Sequence, residues 1–532
     1  MIIASYLPPF TSSIQNCAPN SYLYTVHHFL NTLAEQVEKV FICNHSEGAQ
    51  LQDSQHSTSP KLRLVGGSEL AQVLSEQPID IWHDFGFHSP FVLKALRGSS
   101  GQEFSITYEV PPEYLLGIEA CELMTLKSHD AVIYPLEKLS EFVHRDERYS
   151  DSTVTRDIKP SSQLVIPLGI DLESVRPMDK HDARCLLGYR GNDTVVLCHL
   201  ELSSSSRSDL VPVFDAVRKA ATAQKNTRLI ISGTATPSLL YELRQLAYDS
   251  VGNLDVRFYL NPVAHAVPLL FSAADIFLLP SDGFSREALV TTTYAMAHKL
   301  PIILPEYCLA KALIEHEQSG LLVESYANEQ ALEYCLEALN FLPTVMSHSL
   351  VTNARGMHSA ALVGKLVMMI QKPEWRTNIG VAAFNRAKRL YDIKHTVRAY
   401  VQLWQSLVNA RSTRLKPQKT RCLGRNRKFL IETQPLNENL TLMTSDRGLT
   451  MLKQPVIKIP YYWREWIYGS IVLQLLRASQ EGATIGNLTR SLLETSGCTC
   501  SSYLKSGILY HIGWCLNEGL LESAASDIVM KG

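Results

Sequence analysis

The stretch Ser281–Pro301, SDGFSREALVTTTYAMAHKLP, lies between two β-rich runs, DIFLLPS before it and LPIILPE after it. A strand, a polar loop, a helix and a second strand in that order form a unit of parallel α/β architecture. The rhythm continues in both directions. Upstream, DTVVLCHLEL, RLIISG and VRFYL read as strands, and DLVPVFDAVRKAATAQ, SLLYELRQLAYDS and HAVPLLFSAA read as the helices between them. Downstream, SGLLVES completes the set, and Leu362 to Leu407 reads as helices.

The first part of the chain has the same pattern. MIIASYL, KVFICN, DIWHDFG, EFSITYE, HDAVIYP and QLVIPLG are expected strands, and SYLYTVHHFLNTLAEQ places Leu23, Val26, Leu30 and Leu33 on one helical face. The expected fold is therefore α/β: two tandem Rossmann-like domains followed by a small winged-helix-like α+β domain. The boundaries read as 1–172 for the first lobe, 173–410 for the second with its closing helices, 411–428 for a linker and 429–532 for the last module. Two such lobes enclose a cleft that is a natural ligand site.

Bulk properties narrow the function classes. The chain has 532 residues, with 50 Lys plus Arg against 52 Asp plus Glu, so no whole-chain field selects nucleic acid or an anionic membrane. No apolar run approaches the ~20 residues that span a bilayer, and the start lacks a basic, then apolar, leader pattern. Eleven cysteines spread thinly over the chain argue against a disulfide framework, and a cytoplasmic location is expected. The segment Arg411–Lys428 holds eight basic residues and no acid, which reads as a solvated linker or a basic docking patch.

Several segments together resemble glycosyltransferase family four, whose fold is called GT-B. LVIPLGIDLESVRP is similar to that family's inter-lobe segment. DVRFYLNPVAHAVPLLFSAADIFLLPSD is similar to the strand, helix and strand before its donor loop, and YAMAHKLPIILPE with HEQSGLLVE to the elements after it. KPEWRTNIGVAAFNRAKRLYDIKHTVRAYVQLWQSL resembles the closing helices, the last of which crosses back to the first lobe. The resemblance covers residues 1 to 410 and implies a retaining transferase that takes a nucleotide sugar, with no metal or other cofactor.

The residues expected at the site depart from the family's pattern. Its donor loop carries two glutamates with seven residues between them; here Arg286 and Tyr294 stand at those positions, with Glu287 one residue away and Asp282 as a second spare acid. Tyr can offer one hydrogen bond but cannot chelate two ribose hydroxyls. The phosphate-binding arginine and lysine fall near Glu201 and Ser206, leaving Arg207 as the nearest cation. Gly233, closing the strand RLIISG, joins Arg207, Ser206, Arg286 and Tyr294 as a candidate donor-binding residue. The first lobe's glycine pair is replaced by PPFTSSIQNCAPNSY, and Tyr108 followed by Glu109 stands where the family places a histidine. Glu287, Asp282, Tyr108 and Glu109 are the catalytic candidates, and His83 and Asp84 in WHDFGFH are candidates for the acceptor cleft. A metal held there with His88 is the alternative. Cys498 and Cys500 in GCTCSS lack a second ligand pair at zinc spacing and read as a loop.

The last hundred residues offer three helical patterns, SIVLQLLRAS, TIGNLTRSLLE and YLKSGILYHIGWCLNEGLLES, ending in a turn at Gly519, with LTLMTSDRGLTML expected as a hairpin before them. Ile471, Leu475, Ile485, Leu488, Leu492, Ile508, Ile512 and Leu516 read as this module's core. The tail resembles winged-helix domains that recognise precursor peptides, which implies a peptide or protein partner docked on a sheet edge. A DNA reader would want a basic recognition helix, and SSYLKSGILYHIGWCLNEG has one lysine. Two readings stand: a glycosyltransferase (hexosyltransferase) acting on a docked peptide, or an inactive glycosyltransferase-like scaffold for a partner enzyme. A DNA-binding regulator is a third, minor reading.

Overall fold

A computed structural model describes residues 1–6, 18–44, 59–86, 90–100, 102–110, 129–136, 162–202, 210–236, 239–252, 254–280, 285–306, 308–327, 355–412, 434–435, 437–454, 467–496 and 502–524. Within these, the first lobe is a seven-stranded sheet: β1 (Ile2–Tyr6), β2 (Lys39–Asn44), β3 (Leu62–Gly66), β4 (Ile81–Asp84), β5 (Ser105–Glu109), β6 (Ala131–Tyr134) and β7 (Ser162–Val165). Its order is β3-β2-β1-β4-β5-β6-β7, and every neighbouring pair is parallel. Strands β4, β5 and β6 are buried along their whole length, as a sheet covered on both faces requires. The order reverses between β1 and β4, so the crevice of this lobe opens beyond Tyr6 and Asp84.

Helix α1 (Tyr22–Gln36) starts at Ser21, whose hydroxyl accepts the Tyr24 N–H. Its buried face is Tyr22, Thr25, Val26, Phe29, Leu30, Leu33 and Ala34, while Leu23 is only half-buried. Helices α2 (Gly67–Glu76) and α3 (Pro90–Ser100) follow β3 and β4. Strand β3 was not among the expected strands. It is an edge strand with exposed Arg63, so it lacks the continuous apolar run that marks the others.

The second lobe repeats the plan. After α4 (Lys180–Leu187) come β8 (Thr194–His199), α5 (Leu210–Ala223), β9 (Thr227–Gly233), α6 (Leu239–Val251), β10 (Val256–Leu260), α7 (Val267–Ala273), β11 (Ile276–Leu278), α8 (Arg286–Ala297), β12 (Ile302–Pro305), α9 (Cys308–Leu313) and β13 (Leu321–Val323). The parallel order β10-β9-β8-β11-β12-β13 puts its reversal between β8 and β11. Strand β11, at that reversal, is followed in the chain by α8.

Asp275 holds the lobe's start together. Its carboxylate takes the Val195 N–H at 2.8 Å, pairs with Lys180 at 3.0 Å and with buried Arg184, and lies 3.7 Å from Arg376. A carboxylate this enclosed is tolerated because it is paired and hydrogen-bonded together.

Helices α10 (Ser359–Gln371), α11 (Pro373–Leu390) and α12 (Ile393–Ser412) close the two-lobed body. Helix α12 returns to the first lobe: Val397, Tyr400, Val401, Leu403, Trp404 and Leu407 share a core with Phe29, Leu33, Ile81 and Ile133. Its last turn is tied there by Arg411, which donates to the Asp80 and Glu103 carbonyls. Two crossings between lobes meet where Ile170 bridges Asp392, and Thr396 donates to the Pro167 carbonyl at 3.0 Å. A Cβ at Gly169 would lie 2.6 Å from Ile393 Cα, so only glycine lets the crossings touch.

The C-terminal module contains β17 (Thr441–Thr444), α13 (Asp446–Leu452), α14 (Gly469–Ala478), β18 (Ala483–Thr484), α15 (Ile485–Thr495), α16 (Ser502–Asn517) and β19 (Leu521–Ser523). Strand β17 is central and antiparallel to both β18 and β19. The expected hairpin at 440–452 is corrected: only 441–444 is a strand. Ser445 then caps α13 by accepting the Gly448 N–H, and its helix-starting side chain overrides a hairpin turn. Leu475, Ile485, Leu488, Leu492, Ile508 and Ile512 are buried in the module, with Ile471 and Leu516 half-buried.

The module rests on the second lobe. Strand β14 (Ser325–Ala327) pairs with β15 (Arg355–Met357) and β16 (Gln434–Pro435), and the Tyr326 hydroxyl donates to Asn517 Oδ1 at 3.1 Å. Arg447 donates to Ser250 Oγ at 3.0 Å. Among the described residues, no helix is long and apolar enough to cross a membrane.

Candidate functional site between the lobes

The first turn of α1 and the first two turns of α8 face each other across the seam between lobes. Helix α8 begins at Ser285, whose hydroxyl accepts the Ala288 N–H at 3.0 Å. That start directs Arg286 and Glu287 toward the first lobe. The Glu287 carboxylate accepts the Tyr22 backbone N–H at 3.0 Å. The Arg286 guanidinium donates to the Phe85 carbonyl at 2.6 Å and lies over the Tyr22 ring, 4.4 Å from its centroid. One turn on, Thr291 and Asn20 exchange contacts at 3.4 and 3.5 Å, and Val290 joins the first lobe's core. Tyr294 is buried against Phe271 and His298, and burial first, then Tyr24 of the first lobe, raises its phenol pKa.

Below this seam lies a buried polar row on the first sheet. Glu109 takes hydrogen bonds from the Tyr22 hydroxyl at 3.3 Å and the Tyr400 hydroxyl at 2.9 Å, so one carboxylate joins β5, α1 and α12. Burial, followed by the charge of Glu109, raises the Tyr400 pKa well above its ordinary value. His83 Nδ1 lies 2.9 Å from Thr107 Oγ1, which also accepts the Trp404 indole N–H at 3.1 Å. Phe29, Phe85, Tyr400 and Trp404 surround the His83 ring, and desolvation lowers its pKa to about 3.

These positions separate the sequence candidates. Arg286, Glu287 and Tyr294 come together at the seam. Glu109 and His83 lie in the layer beneath it and are buried among aromatic rings. Tyr108 and Asp84 are also buried, and each projects to the face of its strand opposite Glu109 or His83, because neighbouring strand residues alternate. Gly233 has φ +131°, and a Cβ there would lie 1.8 Å from the Leu200 carbonyl oxygen, so the close approach of β9 to the end of β8 requires glycine. Glu201 is exposed. Ser206, Arg207, Asp282, His88, Cys498 and Cys500 lie outside the described residues, as do the linker residues 413–428. Among the described residues, no three His, Cys, Asp or Glu side chains converge as a metal site.

Tyr22, Asn20, Thr291, Tyr400 and Trp404 belong to this seam or the layer beneath it and were not among the sequence candidates. Only Tyr22 carried a signal, as the first residue of an amphipathic helix that follows the β1 loop.

Known proteins share this two-lobed α/β fold. Residues 195–340 match the family model of glycosyl transferases group 1. The second lobe is thus glycosyltransferase-like, and the α/β pair of seven- and six-stranded parallel sheets is consistent with GT-B. Among solved structures, sucrose-phosphate synthase from Thermosynechococcus elongatus superposes with a TM-score of 0.53 at 16% identity, covering 77% of this chain and 99% of that one. A glycosyltransferase from Rickettsia africae gives 0.52 at 12% identity, covering 76% and 98%. Anabaena HepE in complex with UDP and glucose gives 0.51 at 15% identity, covering 78% and 100%. At such identities the likeness is one of fold. No curated protein matches the chain.

Proposed function

We propose that this protein is a nucleotide-sugar-binding glycosyltransferase of the retaining kind, with its donor site in the seam between lobes and a peptide acceptor docked by the C-terminal module. The match of the second lobe, residues 195–340, to glycosyl transferases group 1 carries this reading. HepE, of the same fold, was solved with UDP and glucose, which makes a uridine nucleotide the first donor to try. The expected roles are phosphate binding by Arg207 with the hydroxyl of Ser206, and contact with the donor sugar by Asp282, since the Glu287 carboxylate is engaged with the Tyr22 N–H. A cation near the diphosphate stabilises the leaving charge, and a carboxylate orients sugar hydroxyls. No metal is invoked.

The module's part rests on the short antiparallel sheet β18-β17-β19, whose outer strands, among the described residues, have edges open to an extended peptide. The winged-helix resemblance supports the same role.

A specific observation favours a second reading, an inactive glycosyltransferase-like scaffold. Arg286 and Glu287 already serve as lobe-to-lobe contacts, and Glu109 is enclosed by two tyrosines. Calorimetric titration with UDP, UDP-glucose and other nucleotide sugars separates the two. Binding at a hundredfold excess over Kd would stabilise the fold by ~2.7 kcal/mol, and loss of that heat in Arg207→Ala would support the enzyme. Absence of heat with every nucleotide, in a protein that unfolds cooperatively, would support the scaffold.

A further inference from the structure

We infer that Arg286 and Glu287 form a latch that holds the two lobes closed, with the Glu287 carboxylate occupying the amide end of α1 as an internal anion. This goes beyond the proposed function, since the latch exists whether or not the seam turns over a substrate.

The contacts are of three kinds and join residues far apart in the chain. Glu287 accepts the N–H of Tyr22, the first residue of α1, at 3.0 Å. The N-termini of α1 and α8 thus converge on one carboxylate, and both helix dipoles favour negative charge there. Arg286, beside it and 9% exposed, donates to the Phe85 carbonyl and stacks on the Tyr22 ring. The same Phe85 carbonyl lies 3.4 Å from the Tyr22 hydroxyl, so the guanidinium and the phenol meet at one acceptor. Val290 and Thr291 extend the closed contact along α8. These are charge-assisted, partly buried contacts, the class whose loss is felt most strongly.

Opening the lobes must break this set, while the crossings at Ile170–Asp392 and Thr396–Pro167 can remain as the pivot. An anion entering the seam near α1 would compete with Glu287 for the same N–H. The latch therefore opposes anion entry and sets its threshold.

The test is hydrogen–deuterium exchange of the full chain, paired with small-angle scattering. Glu287→Ala should raise exchange over the first turn of α1 by about tenfold to a hundredfold, the loss expected for one charge-assisted hydrogen bond. It should also increase the radius of gyration. Arg286→Ala should act in the same direction. Glu287→Gln, which keeps an acceptor oxygen but no charge, should fall between wild type and Glu287→Ala. Unchanged exchange in β8 and β9 shows that each variant is folded. Wild-type exchange over α1 and a wild-type radius in folded Glu287→Ala would overturn the latch. Titration with UDP, the one arm that rests on the proposed function, separates the two claims. Tighter UDP binding by Glu287→Ala supports the internal anion, whereas weaker binding would make Glu287 a donor ligand and overturn it.

Discussion

Acidification to pH 5 should destabilise the second lobe more than the first, because among the described residues neutral histidines are buried unequally between them. His199 and His298 belong to the second lobe, and His83 to the first. Burial lowers their pKa values to about 4, about 4 and about 3, from an ordinary value of 6.5. Among the described residues, each also has a ring nitrogen without a hydrogen-bond partner: His199 Nδ1, His298 Nε2 and His83 Nε2. Aromatic neighbours offer no replacement for water: Phe271 lies against His199 and His298, and the Tyr400 and Trp404 rings lie against His83.

The sign follows from where the protons bind. Above pH 6.5 these histidines are neutral in both folded and unfolded chains and take nothing from stability. Below 6.5 the unfolded chain takes up protons that the folded chain refuses, so stability falls as pH drops, down to the folded values near 4 and 3. Each histidine costs ~1.4 kcal/mol per pH unit in that window, so at pH 5 the second lobe loses about 4 kcal/mol and the first about 2. The second figure is a sizeable part of a domain's usual ~5–15 kcal/mol, and the first is larger still. Lowered pKa values at His358 and His511, for which burial is the largest cause, act in the same direction.

Calorimetric melts from pH 7.5 to 5, with hydrogen exchange to assign each transition to a lobe, would measure this. His298→Gln should flatten the second lobe's pH dependence by one proton and leave the first lobe's unchanged. Stability that is flat between pH 7 and 5, or a His298→Gln slope equal to wild type, would refute the reasoning.

Two substitutions test the second lobe's packing. Asp275→Ala leaves buried Arg184 without its counter-ion, held by the Ala273 and Gly191 carbonyls, and removes the acceptor for the Val195 N–H; it should cost ~3–5 kcal/mol, read by urea unfolding. Gly233→Ala forces a side chain onto a φ of +131° and against the Leu200 carbonyl; it should cost roughly 3 kcal/mol or more with or without nucleotide, read by the same unfolding curves. Loss of nucleotide binding with unchanged stability would instead make Gly233 a donor contact.

Much of the fold was legible in the residues themselves. Runs such as TVVLCH and RLIISG, buried along nearly their whole length, announce central parallel strands, and the intervening helices force crossovers. Strand β3 was hidden because an edge strand need bury only part of itself. The hairpin expected at 440–452 failed because a single capping serine decides between turn and helix, and strand periodicity does not register it.

The site was legible only as an inventory. Arg286 and Glu287 were marked as departures from a family pattern, but their partners Phe85 and Tyr22 lie 201 and 265 residues away in sequence. Glu109 was marked as a catalytic candidate, and the hydroxyl of Tyr400, 291 residues distant, encloses it. Local sequence determines period, capping and the faces that must be buried, because those depend on neighbours within a turn or a strand. Which carboxylate meets which helix end depends on how the two lobes close on each other, and only the tertiary structure decided that.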